Sequence, residues 1–170
     1  LADGDGRNGS WLAGRDFRVT SVDISPAAAA LGRERDRRAG AFVERVIADL
    51  ATWQPTEASA QLVTLQFLQG PWALRRAALL AASRALAPGG WLLVEGFAAR
   101  DGVAPAEASL GPKRDTHRWR AREIEETLSD LEPHATDIAT RDLHDGPRHS
   151  GIGRVLTVLR RRPAGSAPSG

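Results

Sequence analysis

A chain of 170 residues with 42% apolar content can bury the core of one domain, and its lack of Cys removes disulfides, thiolate metal sites and Cys nucleophiles together. The formal charge is only +2, so nothing demands a nucleic-acid partner. The isoelectric point of 10.2 reflects cations that are nearly all Arg and the absence of Tyr and Cys, which titrate at about pH 8.5–10. No apolar run approaches the roughly 18 residues of a spanning helix, so no membrane partner is expected and the cytoplasm is the expected location.

In chain order, Arg7 to Ala13 reads as a short helix ended by Gly14, and Phe17 to Ile24 alternates β-branched residues as a strand does. Ser25-Pro26 supplies an N-cap and a Pro at the first helical position, opening a helix over Ala27 to Arg38. Ala41 to Ile47 reads as a strand closing on Ala48-Asp49-Leu50, and Gln61 to Leu68 as a buried strand. Pro71 to Ala87 is an Ala/Leu/Arg helix stopped by Pro88-Gly89-Gly90, and Trp91 to Phe97 is the next strand. Residues 98 to 118 have the Gly, Pro and charge content of an insertion loop over a site. Arg122 to Leu131 reads as a helix stopped before Pro133. Thr136 to Leu143 and Gly153 to Arg160 read as strands joined through Asp145-Gly146-Pro147, an antiparallel ribbon. The basic clusters at Arg33 to Arg38 and Arg160 to Arg162 read as a solvated helix face and a strand end.

Strand and helix alternate until that closing hairpin. The pattern predicts an α/β fold, a doubly wound and mostly parallel sheet with an antiparallel strand at one edge. Residues 1–162 are read as one domain and 163–170 as a disordered tail.

The opening LADGDGRNG, with Asp23 following Gly9 by fourteen positions, is a glycine-rich turn placed before a strand that ends in a carboxylate. Open α/β sheets build nucleotide pockets this way: glycines let the backbone approach the ligand, and the carboxylate takes ribose hydroxyls. Asp3 and Asp5 within the turn would repel a pyrophosphate and favour a ligand carrying a sulfonium and an ammonium. A buried strand leads into such turns, and only Leu1 and Ala2 stand before this one. The expectation is therefore a fragment whose first strand is largely missing, with the sheet destabilised for lack of it.

Taken together, Ala-Asp-Gly-Asp-Gly-Arg-Asn at 2–8, Val-Thr-Ser-Val-Asp-Ile-Ser at 19–25, Ala-Asp-Leu at 48–50 and Leu-Ala-Pro-Gly-Gly at 86–90 resemble a class I S-adenosylmethionine (SAM)-dependent methyltransferase. The stretch from His144 to Gly153 resembles the small bacterial branch that includes tellurite-resistance-type methyltransferases. The resemblance implies a Rossmann-like fold, SAM as cofactor and a small-molecule methyl acceptor. It implies that Ala2, Asp3, Gly4 and Gly6 of the turn hold the methionine end of SAM through backbone groups. Asp23 would take the ribose hydroxyls, Ile24 and the Leu50 backbone would lie on the adenine, and Asp49 would take its amino group. Leu65 and Phe67 would lie near the transferring methyl, and His149 is the candidate polar group facing the acceptor.

The chain departs from the family pattern at three points. Ala2 replaces the first glycine of the turn, which is tolerable where that residue keeps a negative φ. Gln61 and Gln69 stand where Asp and His are expected. Each site residue also has a purely structural alternative: Asp23 a loop carboxylate, Asp49 a turn residue, Phe67 core, His149 an exposed hairpin residue. Glu95, near its strand's end, is left without a role.

Two other functions compete. Gly4-Asp-Gly-Arg-Asn-Gly9 also matches the dinucleotide fingerprint of nicotinamide oxidoreductases, with Asp23 nineteen positions beyond Gly4. With no Tyr and Lys113 as the one Lys, a Tyr-Lys catalytic pair is excluded. The other is a truncated SAM fold without catalysis. Oligomeric state is not legible.

Overall fold

The computed structural model describes residues 1–102, 110–144 and 150–165. Its contacts divide the chain into two units, Leu1–Gln54 and Pro55–Gly170.

The first unit contains α1 (Arg7–Ala13), β1 (Val19–Asp23), α2 (Pro26–Ala39) and β2 (Val43–Ile47). β1 and β2 pair in parallel from Val19 opposite Val43 to Asp23 opposite Ile47. α2 starts where its cap chemistry dictates: the Ser25 side chain accepts the Ala28 N–H at 3.1 Å, with Pro26 at the first helical position. Val22, Ala29, Val43 and Leu50 are the apolar core.

The second unit contains β3 (Ala60–Gln66), α3 (Trp72–Ala85), β4 (Leu86–Phe97), a 3-10 turn at Asp115–His117, α4 (Ala121–Thr127), β5 (Glu132–His144) and β6 (Ser150–Arg161). The sheet order is β3-β4-β6-β5. β3 and β4 are parallel, and β6 runs antiparallel to both β4 and β5. The antiparallel strand thus lies one place inside the edge, which β5 occupies. Ala78, Leu79 and Ala82 of α3 and Ile124 of α4 are buried, as are Leu92 and Val94 of β4 and Leu156 and Val158 of β6.

Three boundaries differ from the sequence reading, each for a reason in the backbone bonding. α3 ends at Ala85, and Leu86-Ala-Pro-Gly-Gly90 begins β4 instead of forming a turn. Leu86 pairs with Ala60, Gly89 donates to the Arg162 carbonyl at 3.0 Å, and Arg162 donates to the Gly90 carbonyl at 2.8 Å. α4 closes at Thr127, although Leu128 and Leu131 stay buried beyond it. β5 then starts early, at Glu132, taking in Pro133. An edge strand tolerates the missing donor, and the register shifts between Pro133 and Ala135. The hairpin turn at 145–147 lies outside the described residues.

Candidate cofactor-binding site

Asp23, the last residue of β1, ties the first unit's turn together. Its Oδ2 accepts the Gly4 N–H at 2.9 Å and its Oδ1 accepts the Ser25 N–H at 2.9 Å. A carboxylate offers about four acceptor positions, so each oxygen keeps capacity for a hydroxyl donor. The Ala48 N–H donates to the Asp23 carbonyl at 3.0 Å, which sets Asp49 beside the same strand end. Asp49 is exposed and its Oδ1 accepts the Ala51 N–H at 2.9 Å. Ile24 is 63% exposed, an uncovered apolar face next to the Asp23 carboxylate. Leu50 turns its side chain into the core and leaves only backbone to a ligand.

The turn winds through the left-handed region, with φ of 52° at Ala2, 56° at Gly4 and 82° at Gly6. A Cβ built on Gly4 would meet nothing within 4 Å, so its backbone faces open space that a ligand can enter. Ala2 departs from expectation: its φ is positive, and the conformation that a glycine adopts freely costs an alanine about 1–2 kcal/mol. The N–H of Ala2 is nevertheless held, donating to the Val22 carbonyl at 2.8 Å.

The acidic residues of the turn also differ from their sequence reading. Asp3 turns inward: its Oδ1 accepts the Gly9 N–H at 3.1 Å, and its Oδ2 pairs with Arg45 Nη1 at 3.1 Å. Asp5 pairs with Arg35 at 3.1 Å and with Arg7 at 3.2 Å. Both charges are compensated, so repulsion of a pyrophosphate by these carboxylates does not set ligand choice. Asp3 offers a ligand only its backbone.

Arg45, on β2, was not anticipated as a site residue. Its side chain is 2% exposed and bidentate on Asp36, Nε to Oδ2 at 2.7 Å and Nη2 to Oδ1 at 2.8 Å. Ser21 and Ser10 accept from it at 3.3 Å each, and Ser10 Oγ donates to Asp36 at 2.5 Å. Burial pushes the Asp36 carboxyl up, but hydrogen bonds from Arg45 and Ser10 outweigh it and hold that carboxyl below its ordinary value. The bonds to Asp36, and then the bond to Asp3, outweigh burial and raise Arg45. A Cβ on Gly6 or on Gly32 would lie 2.4 Å from the guanidinium. The turn and the middle of α2 therefore close on Arg45 through residues with no side chain.

In the second unit, Leu65 is fully buried, while Phe67 lies just beyond β3 with φ of 52°. The Phe67 N–H donates to the Glu95 carbonyl at 2.7 Å, and its ring meets Phe97 edge-on at 5.2 Å. Trp119 Nε1 donates to the next carbonyl, Leu68, at 3.0 Å and fixes the chain past that bend. Glu95 pairs with Arg141 at 3.2 Å and accepts from Thr157 at 3.2 Å. Gln61 and Gln69 are exposed. His149 lies outside the described residues.

A family model described as a methyltransferase domain matches residues 1–90. No curated protein matches the sequence. Among solved structures, a SAM-dependent methyltransferase from Methanosarcina mazei is similar with a TM-score of 0.75 at 16% identity, over 95% of this chain and 90% of its own. TehB from Haemophilus influenzae gives 0.73 at 18% identity, over 94% of this chain and 55% of TehB. The [4+2]-cyclase SpnF gives 0.71 at 15% identity, over 96% of this chain and 73% of SpnF. Likeness at these identities shows the fold, and SpnF shows that the fold carries more than one reaction.

Proposed function

Because the chain belongs to the methyltransferase-domain family, whose model covers residues 1–90, we propose that it transfers a methyl group to a small-molecule acceptor. It is a class I SAM-dependent methyltransferase, and S-adenosylmethionine is its cofactor. When bound, SAM supplies a methyl already activated on a sulfonium, which leaves the protein the work of alignment and exclusion of water.

In this reading Asp23 accepts the ribose hydroxyls through the acceptor positions that Gly4 and Ser25 leave free. Ile24 covers one adenine face, Asp49 accepts the amino group, and the Leu50 backbone lies against the ring. The backbone of Ala2, Asp3, Gly4 and Gly6 holds the amino-acid end, as successive peptide groups in a turn do for charged ligands. Phe67 is assigned to the acceptor side, with Leu65 behind it in the core. A thiol or another soft nucleophile needs no dedicated base, and His149 is the group proposed for an acceptor that does. The observation that carries the reading is the Gly4 to Asp23 bond, which fixes a carboxylate beside an open stretch of glycine backbone.

Asp23→Ala is expected to weaken binding of the demethylated cofactor by about 1.5–3 kcal/mol, the range for hydrogen bonds to a charged group. Calorimetric titration of both proteins measures it. Unchanged affinity would place the ribose elsewhere.

A further inference from the structure

Among the described residues, the second unit carries more positive than negative charge just past the carboxyl end of β4. β4 ends at Phe97, whose ring packs on Phe67 beyond the end of β3. Ligands of open α/β sheets sit outside such strand ends. Directly past Phe97 the chain is gripped by guanidinium groups. Arg118, fully buried, donates to the Leu110, Pro112 and Ala98 carbonyls at 2.8, 2.9 and 3.4 Å. Arg154 donates to the Ala99 carbonyl, and Arg100 donates to the Lys113 carbonyl at 3.2 Å.

These hydrogen bonds go to carbonyls, and of the three cations Arg154 alone also reaches a carboxylate, Asp101. Asp115 pairs with Arg120 at 2.6 Å and takes the Arg100 backbone N–H at 2.8 Å; Asp101 lies 3.9 Å from both Arg120 and Arg154. Among the described residues, Arg100, Lys113, Arg114 and Arg118 form no ion pair with a carboxylate, although the Asp115 charge favours the Arg118 cation. Burial, and then the neighbouring Arg100 charge, lowers the Arg118 pKa, with the Asp115 carboxylate opposing both. Arg100 Nε is buried without a hydrogen-bond partner among the described residues.

The segment is basic against the trend of the chain. Among the described residues of 98–120, Arg100, Lys113, Arg114, Arg118 and Arg120 stand against two carboxylates, Asp101 and Asp115, and Arg154 of β6 adds a further cation beside Asp101. Glu107 is outside the described residues. A buried cation hydrogen-bonded to carbonyls, as Arg118 is, is costly, and an anion at this position offsets that cost.

We propose that this cluster of the second unit binds an anionic group, a carboxylate or a phosphate, with Arg100 as the residue that touches it. The Phe67 and Phe97 rings supply an apolar contact beside that group.

The test titrates benzoate, phenyl phosphate and neutral benzamide into protein saturated with S-adenosylhomocysteine. At least one anion is expected to bind about tenfold tighter than benzamide, the effect of one charge-assisted contact; which of the two binds tighter distinguishes carboxylate from phosphate. Arg100→Gln should abolish that preference. Lys113→Gln, at an exposed position that the fold tolerates, should reduce it about threefold. Arg76→Gln, which removes the same charge from an exposed position on α3, should leave it intact. Equal binding of benzamide, no binding of either anion, or preference retained in Arg100→Gln and Lys113→Gln would overturn the proposal. Failure of S-adenosylhomocysteine itself to bind would instead overturn the methyl-transfer reading.

Discussion

Arg45→Met is expected to cost about 3–5 kcal/mol of stability, the range for removing one partner of a buried ion pair. Domains hold only about 5–15 kcal/mol in total, so the first unit should be at or near unfolding. Met fills the volume of the arginine stem but leaves Asp36 and Asp3, whose side chains are 9% and 7% exposed, without their cation. The turn would then lose the anchor that pulls Asp3 inward, and affinity for the cofactor should fall with stability.

The pH dependence gives this prediction a sign that a simple packing defect would not share. In the wild type, hydrogen bonds from Arg45 and Ser10 overcome the upward push of burial and hold Asp36 below its ordinary value. Its contribution is therefore complete above the ordinary carboxylate pKa of about 4 and is lost as pH falls through the depressed folded value. In Arg45→Met, burial acts without the cation and the folded value rises above the ordinary one. The variant should regain stability as pH falls from about 7 toward 4.5, where this site leaves the wild type unchanged. Urea unfolding at the two pH values measures both slopes. Equal slopes would mean that Arg45 is not what keeps Asp36 ionised.

Gly4→Val is expected to abolish cofactor binding while the first unit stays folded. The position has φ of 56°, and a Cβ there meets no protein atom within 4 Å. The folded chain therefore bears backbone strain of about 1–3 kcal/mol but no steric clash. The added side chain fills the space that a ligand needs to reach the backbone. Thermal unfolding separates the two effects. A variant that folds and still binds SAM with wild-type affinity would show that the ligand does not cross Gly4.

The local structure of the first unit was largely legible. The Ser25-Pro26 start of α2 and the glycine after α1 are short-range signals, and they act within three or four residues. What could not be read were the partners of the turn's acidic residues. Asp3 looks free in the sequence because its cation, Arg45, stands 42 positions away. A trace of that contact does exist. Gly32 interrupts α2 at a cost of about 1 kcal/mol relative to Ala, and it is tolerated because the Arg45 guanidinium fills the space of its missing side chain. The positive φ of Ala2 had no sequence signal, since alanine takes that conformation only under tertiary constraint. In the second unit, Pro88-Gly89-Gly90 reads as a stop for a helix. The exchange of bonds with Arg162, remote in sequence, is what draws it into a strand.

The same glycine turn fits a dinucleotide fingerprint, and with Asp3 and Asp5 both paired, their charge no longer separates the two ligands. Calorimetric titration of the wild-type chain with SAM and, separately, with NADH therefore tests the assignment most directly. Saturable SAM binding, with NADH weaker by at least about tenfold, is the expected result. NADH affinity equal to or better than that for SAM would contradict a methyltransferase site at Gly4 and Asp23.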